Sequence, residues 1–289
     1  MNRSLKISLW VVLLLVVAVG LLIGSFLIKQ KTQQPQMFSD PIFETQAPVL
    51  DLPERDFSVL VFSKTNGFRH HEAIPAANQL MRQFAEQGQW AIALTENGAV
   101  FNSEQLAQFD LVVWNNVTGP ALTPDQQVAF EAYIEGGGGY LGIHAAGDGS
   151  HKDWDWYANQ VIRSQFTMHP LWPQIQTATL NFEAAQHPIT QSLPAQWQMQ
   201  DEWYSFESSV RGQGSEVLMT IDENSYDPNL WSMGDDHPLI WAHEQGAGRV
   251  VYSAPGHLAS SYADQRYQRL LHQAIAWASG TKIYFSVAD

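Results

Sequence analysis

The run GGGGYLGIHAAGD, residues 136–148, constrains the fold more than any other part of the chain. It predicts a buried strand that is entered from a four-glycine turn and left through a tight corner of small residues. Such a strand-to-helix corner exposes its first side chain at the carboxyl end of a sheet, beside free backbone N–H groups. That position holds His144, and the sequence contains no cysteine. Chemistry that uses a thiol nucleophile is therefore excluded.

Apolar runs typical of buried strands alternate with helical patterns before this corner. The predicted strands are residues 57–62, 90–94, 111–114 and 140–143, followed by 177–182 and 217–221. The alternation predicts an α/β fold with a mostly parallel sheet flanked by helices, in which ligands lie outside the carboxyl ends of the strands. A hairpin is predicted around EQGAG, residues 244–248, and a closing helix at 267–278. The pattern is loose over residues 150–235, which we interpret as an elaboration over one face of the sheet.

The amino-terminal segment has the composition of a membrane span. Residues 7–28 contain no charged side chain, and this length suffices to cross a hydrocarbon core of about 30 Å. A cleavable signal peptide usually has a shorter apolar stretch, so residues 1–31 predict an uncleaved transmembrane signal anchor, with cleavage as the alternative. Basic residues slightly favour a domain on the outer side, in the periplasm or another extracytoplasmic space. Residues 32–55, rich in Pro and Gln, predict an extended linker to a domain at residues 56–289.

The charge of the chain excludes one class of partner. Four of the 15 basic residues and none of the 29 acidic ones lie in residues 1–31, so the remainder carries a formal charge of −18. Such a surface repels nucleic acid phosphates. We therefore predict no nucleic acid partner, and neutral small molecules, cations and proteins stay open as ligands of the domain.

Several strings in this sequence are similar to those of one family. They are NGFRHHEAI (66–74), LTPDQQVAFEAYIEGGGGYLGIHAAGD (122–148), HPIT (187–190), DEWYSF (201–206), MGDDHPLIWAHEQGAGRVVYSAPGH (233–257) and SYAD (261–264). Together they resemble the ThuA-like, or trehalose-utilisation, family over about residues 57–280. The resemblance implies a flavodoxin-like domain of the class I glutamine amidotransferase type that binds or processes sugars. Amidotransferases of that class have G-I-C-x-G at a similar corner, where this chain has His144 in place of the cysteine.

Three residues are candidates for catalysis. His144 lies at the corner and can serve as an acid or a base near neutral pH. His70 follows the first strand, and therefore lies at the same edge of the sheet. Asp201 belongs to an adjacent carboxylate pair with Glu202, and at most one of the two faces a pocket because neighbouring side chains of a strand point to opposite sides. A structural histidine and an exposed acidic pair are the alternatives.

A second group of residues is predicted to bind the substrate. Arg69 can pair with a carboxylate or a hydroxyl group, and aromatic faces can pack against the C–H faces of a sugar. Late strands bring further histidines toward the same edge. The predicted substrate-binding residues are Arg69, Asp148, His169, Trp203, Tyr204, His243 and His257. The alternatives are a polar surface loop for Arg69, as for His70, a structural role for His169 and a core position for Trp203.

The sequence predicts no cofactor. A triad of His144, His169 and His257 would suit zinc, but the HExxH spacing specific to zinc is missing, so a divalent metal is only an open alternative. No G-x-S-x-G nucleophile elbow occurs either. We predict a membrane-anchored domain that binds or processes a carbohydrate, such as a trehalose-type disaccharide or an oxidised sugar, by acid–base isomerase or lyase chemistry. A non-catalytic sugar-binding module and a tethered interaction scaffold are the alternatives.

Overall fold

The computed structural model describes residues 3–281 and divides the chain into two compact units. The first unit, Met1–Pro41, contains helix α1 (Arg3–Gln33) and a 3₁₀ turn at Pro35–Phe38. Within α1, Val12–Gln33 is long and apolar enough to cross a membrane. A membrane anchor and a signal sequence would both have this property.

The second unit, Ile42–Asp289, contains all of the strands among the described residues. The strands are β1 (Ser58–Phe62), β2 (Ala91–Thr95), β3 (Leu111–Asn115), β4 (Gly139–Ile143), β5 (Phe166–Met168), β6 (Ile175–Phe182), β7 (Gln196–Glu202), β8 (Ser205–Phe206), β9 (Glu216–Asp222), β10 (Pro238–Gln245) and β11 (Gly248–Ser253). The helices are α2 (Ala73–Gly88), α3 (Ser103–Leu106), α4 (Pro124–Glu135) and α5 (Gln265–Ser279).

Nine of these strands form one mixed sheet, in the order β2-β1-β3-β4-β11-β10-β9-β6-β7. The strands from β2 to β11 are parallel, and the strands from β11 to β7 are antiparallel. Strands β10 and β11 form the predicted hairpin, and β5 and β8 pair separately. The predicted α/β fold is thus confirmed, with helices flanking the parallel part.

The residues of β3 show how the two faces of the sheet are covered. Trp114 stacks on Phe130 of α4, with ring centroids 5.5 Å apart. The next residue, Asn115, points to the opposite face, where its amide donates hydrogen bonds to Ile74 O and Asn78 Oδ1 of α2. This is the period-two alternation of a strand buried on both sides.

The segment between residues 150 and 235 differs from the prediction. The segment was predicted to cover one face of the sheet, but three of its strands, β6, β7 and β9, are part of the sheet itself. The sequence of β7, QWQMQDE, explains this position: Trp197 and Met199 are buried, while the glutamines that alternate with them are exposed. Such alternation suits an antiparallel strand with one face in solvent. The same segment contains a π-helical turn at Tyr157–Ile162.

The extended linker predicted at residues 32–55 is only partly extended in the structure, because its carboxyl-terminal part belongs to the second compact unit. Glu44 forms an ion pair with the buried Lys64 at 2.5 Å. Asn97 donates a hydrogen bond to Gln46 O, and Gln105 donates one to Pro48 O. A Pro-rich segment has no internal hydrogen bonds, so its carbonyl groups are available to such side chains. Residues 42–48 are therefore docked on the domain.

Candidate functional site

The corner after β4 places His144 at the carboxyl edge of the parallel strands. His144 is fully buried and has a left-handed backbone, with φ of 50°. Its Nδ1 lies 2.7 Å from Ala254 O, and the Tyr252 hydroxyl donates a hydrogen bond to its carbonyl oxygen at 2.8 Å. A non-glycine residue in this conformation is uncommon and is held there by its surroundings. The position and direction of the imidazole ring are therefore fixed.

Three further side chains converge on this ring. Together His70, His144, Glu202 and His257, hereafter the four-residue cluster, have ligand atoms that all lie within 4.8 Å of one another. His144 Nε2 is 3.3 Å from Glu202 Oε2 and 3.2 Å from His257 Nδ1. Glu202 Oε2 is also 3.3 Å from His257 Nδ1. The cluster joins the loop after β1, the corner after β4, the end of β7 and the loop after β11.

The hydrogen bond between His144 and Ala254 decides which nitrogen of the imidazole carries a proton. A carbonyl oxygen only accepts, so Nδ1 must donate the hydrogen. In the neutral ring, Nε2 then presents a lone pair to the Glu202 carboxylate and to His257. Two acceptors that face each other at 3.3 Å repel unless a cation or a proton lies between them.

His70 brings a second unsatisfied nitrogen to the cluster. Its ring lies edge-on to those of His144 and His257, with centroids 4.8 and 4.9 Å away. Within residues 3–281, its buried Nδ1 has no hydrogen-bond partner. Burial, followed by repulsion from the other two imidazoles, holds the pKa of His70 well below its usual value. The ring is therefore neutral near pH 7, which is the form that binds a metal ion.

Glu202 carries the negative charge of the cluster. Burial alone would raise its pKa, but hydrogen bonds and positive charge from the protonated forms of His144 and His257 outweigh that effect and hold the pKa well below the usual range. Burial would lower the pKa of His257, but the adjacent Glu202 carboxylate raises it overall. The two residues thus form a buried acid–base pair.

The loop that carries His257 depends on the glycine before it. Gly256 has φ of 131°, and a Cβ atom there would lie 2.8 Å from Ile143 Cγ2. Only glycine adopts this conformation readily. The loop can therefore pass close to the end of β4, which brings His257 beside His144.

A cavity of about 160 Å³ opens onto the cluster. It is lined by Phe68, His70, Asp148, Phe166, His169, Gln174, Glu202, Tyr204 and His257. His169 Nε2 lies 3.5 Å from Glu202 Oε1, to which Gln174 also donates a hydrogen bond. Burial raises the pKa of Asp148 to about 6, so this half-buried carboxyl group can exchange a proton near neutral pH.

Asp201 does not line this cavity, although the sequence suggested it as a catalytic residue. Its buried carboxylate accepts hydrogen bonds from Gly256 N (2.8 Å), His257 N (3.0 Å) and Ser261 Oγ (2.7 Å). As the alternation along β7 requires, Asp201 and Glu202 point in different directions, and Glu202 is the one that faces the cavity. Asp201 instead fixes the loop that carries His257.

Three predicted substrate-binding residues lie elsewhere. Trp203 is fully buried and donates its indole hydrogen bond to Gln176 O. The ring nitrogens of His243 lie 2.8 Å from Gln160 O and 3.2 Å from Ser215 Oγ. Arg69 forms an ion pair with Glu96 at 2.6 Å. None of the three is among the residues that line the described cavity.

The other four predicted binding residues lie together around the cavity. Asp148, His169, Tyr204 and His257 all line the cavity. The Tyr204 ring packs on His144 at a centroid distance of 4.2 Å. Residues that the sequence did not single out as binding groups are Phe68, Phe166, Gln174 and Glu202. Only Glu202 carried a signal, as the partner of Asp201 in the carboxylate pair.

The donor set of the cluster suits a divalent transition metal. Three imidazoles and one carboxylate are typical ligands of zinc, iron, manganese and related ions. The hydrogen bond from His144 Nδ1 to a backbone carbonyl is the kind of outer contact that orients a metal-binding histidine. The four-residue cluster differs from the triad considered from sequence, because His70 and Glu202 replace His169.

Comparisons with known proteins agree with this architecture. The model of the ThuA family, described as trehalose utilisation, matches residues 58–278. A ThuA-like protein from Bacteroides uniformis has a TM-score of 0.68 at 23% identity, covering 80% of this chain and 94% of its own. One from Parabacteroides merdae has a TM-score of 0.61 at 17% identity, covering 81% and 93%. A search of curated proteins found no match. The solved structures share the fold, and the family match, which spans most of the sequence, shows that this chain belongs to the ThuA family.

Proposed function

We propose that this chain is a metal-dependent enzyme that acts on a sugar by proton transfer, with the metal ion held by the four-residue cluster. The observation that carries the proposal is the approach of His144 Nε2 to Glu202 Oε2 at 3.3 Å, with His144 Nδ1 already used as a donor to Ala254 O. A divalent cation would remove the repulsion between these groups. It would also satisfy the unpartnered Nδ1 of His70, or orient that ring through its other nitrogen.

A bound divalent metal would supply Lewis acidity, which polarises a sugar oxygen or lowers the pKa of bound water. Two residues of the cavity outside the cluster are available for proton transfer. His169 is partly exposed and faces the cavity, and Asp148 has a pKa raised by burial to about 6. A general acid or base works best when its pKa lies near the operating pH. His144 and His70, which the sequence suggested as acid or base, are assigned to metal binding in this proposal.

The walls of the cavity support a carbohydrate as the substrate. Phe68, Phe166 and Tyr204 present aromatic faces, which can pack against the C–H faces of a sugar ring. Asp148, Gln174 and His169 offer hydrogen-bond donors and acceptors for hydroxyl groups. The trehalose-utilisation description of the family and the acidic surface both agree with a neutral ligand.

Metal analysis of variants tests this proposal. The purified full chain in detergent, dialysed against zinc or manganese, is expected to retain about one ion per chain. His144→Ala and Glu202→Gln should each weaken metal binding by about 10- to 100-fold, because each removes a group that binds the ion. His71→Ala is the matched control because His71 is exposed and adjacent to a ligand. Stoichiometric metal in both cluster variants would contradict the proposal, and metal with no turnover of any sugar would favour a binding module.

We further propose that α1 anchors the domain to a membrane, with the domain on the outer side. The apolar segment Val12–Gln33 supports the anchor, and the amino-terminal amine with Arg3 and Lys6 slightly outweighs Lys29 and Lys31, which favours the amino terminus on the inner side. Membrane fractions should retain the chain after alkaline carbonate washing, with an intact amino-terminal sequence. A soluble product that begins after residue 20 would instead identify a cleaved signal sequence.

A further inference from the structure

Three apolar side chains protrude from two loops beside the sheet. Leu171 and Trp172, in the loop before β6, are 60% and 88% exposed, and Leu230, in the loop between β9 and β10, is 89% exposed. The pairing of β6, β9, β10 and β11 places both loops at the carboxyl edge of the parallel strands. We call these three residues the apolar tip. Exposed apolar groups gathered in one place indicate a surface that contacts a partner or a membrane.

The two loops of the apolar tip are held together by one side chain. The Gln176 amide donates hydrogen bonds to Pro173 O at 3.0 Å and to Asp227 O at 2.8 Å. Its Oε1 accepts a hydrogen bond from Asp227 N at 2.9 Å. Because Gln176 contacts the backbone of both loops, the apolar tip is a single surface.

The chain enters the second compact unit at the same edge of the sheet. This unit begins at Ile42, whose backbone N–H and carbonyl group both form hydrogen bonds with the Asn66 side chain in the loop after β1. Residues 34–41 separate Ile42 from α1, and a chain of that length spans at most about 30 Å even when fully extended. With α1 as the anchor proposed above, this linker keeps the carboxyl edge within that distance of the bilayer.

The composition of the apolar tip suits the lipid–water interface. Tryptophan is enriched in this layer because its ring is apolar and its N–H is polar, and leucine side chains favour the acyl chains beneath it. The formal charge of −18 outside residues 1–31 gives no attraction to anionic lipids, so the apolar groups must supply the contact. Three side chains are far fewer than the roughly 20–30 residues of a stable protein interface. They suffice for a domain that a linker already holds at the membrane.

We propose that the apolar tip inserts into the lipid–water interface and thereby fixes the orientation of the domain on the membrane. The carboxyl edge of the sheet then faces the bilayer. His169 and Gln174, which line the cavity at the four-residue cluster, belong to the same loop as Trp172, so the cavity lies beside the lipid headgroups. This inference rests on the proposed membrane anchor and requires neither metal nor sugar binding.

Single cysteine labels test the proposal, because the chain has no cysteine of its own. An environment-sensitive fluorophore is attached at Trp172→Cys or Leu230→Cys. The matched control is Ala247→Cys, in the exposed turn between β10 and β11 at the opposite edge of the sheet. The full chain is reconstituted in phosphatidylcholine nanodiscs, in which both faces of the bilayer are accessible. Iodide does not enter the apolar layer, so it should quench the first two labels about fivefold or more weakly than the control label.

A charge in one loop tests whether the two loops insert together. Leu230→Glu should raise the iodide quenching of the label at residue 172 by about twofold or more, because a carboxylate is costly to bury in the apolar layer. Val128→Glu introduces the same charge at an exposed position of α4 and should leave the quenching unchanged. Labels at residues 172 and 230 that are quenched as strongly as the control label would overturn the insertion and indicate a protein partner for this surface. A chain that does not co-purify with the nanodiscs would contradict the anchor, and this inference with it.

Discussion

Replacing Asp201 should destabilise the domain without removing any group that touches the ligand. The buried carboxylate accepts three hydrogen bonds from the loop after β11, donated by Gly256 N, His257 N and Ser261 Oγ. Asp201→Ala leaves these donors unsatisfied in a site with no solvent access. At a net ~1 to 1.5 kcal/mol for each, the loss of folding free energy is about 3–5 kcal/mol. Asp201→Asn keeps one accepting oxygen and should lose about half as much.

Thermal unfolding of the fragment 42–289, which is the second compact unit, measures this loss. The protein should be metal-free, because a bound ion would add its own stabilisation. For a domain of this size the melting temperature should fall by about 2–4 °C per kcal/mol, hence about 10 °C for Asp201→Ala. Asp235→Ala is the control at an exposed position and should change stability by less than ~0.5 kcal/mol. A stable Asp201→Ala variant that has lost all activity would refute this reasoning and restore a catalytic role to Asp201.

Two further predictions concern ion pairs away from the cavity. Burial alone would raise the pKa of Glu223, but hydrogen bonds from His237 and its neighbours lower it to about 2. Its stabilising contribution is therefore complete above pH 4.5 and is lost as the pH falls toward 2. Glu223→Gln should accordingly lower the melting temperature at pH 7 and reduce its decline between pH 5 and 2.5; an unchanged decline would contradict this. Glu44→Ala leaves the buried Lys64 without its carboxylate and should lower the free energy of unfolding by ~1–3 kcal/mol. Limited proteolysis should then cut residues 42–48 faster, and an unchanged rate would show that other contacts hold this segment.

The sequence predicted the parallel part of the fold well because its strands are buried on both faces. Runs such as 111–114 are continuously apolar, and a continuous run bounded by turns indicates a strand wherever it lies. Strand β7 was missed because its alternation of Gln with Trp197 and Met199 is short and polar. The position of residues 42–48 was also missed, since a Pro-rich segment looks the same whether it is free or docked.

The candidate site was predictable to the extent that topology brings strand ends together. His144, His70 and His257 follow parallel strands that are neighbours or near neighbours in the sheet, so their meeting follows from the strand order. Glu202 arrives from the distant antiparallel part, which no local pattern indicates. Nor can spacing decide which of Asp201 and Glu202 faces inward, because the answer depends on the register of β7 against β6.

The position of the metal ion is the most direct test of the proposed function. Crystals of the fragment 42–289 grown with zinc or manganese would give anomalous difference density at the metal absorption edge. The proposed site predicts one strong peak, about 2.0–2.3 Å from nitrogen atoms of His70, His144 and His257 and from a carboxylate oxygen of Glu202. Anomalous peaks elsewhere on the protein, with none among these four side chains, would contradict the proposed metal site.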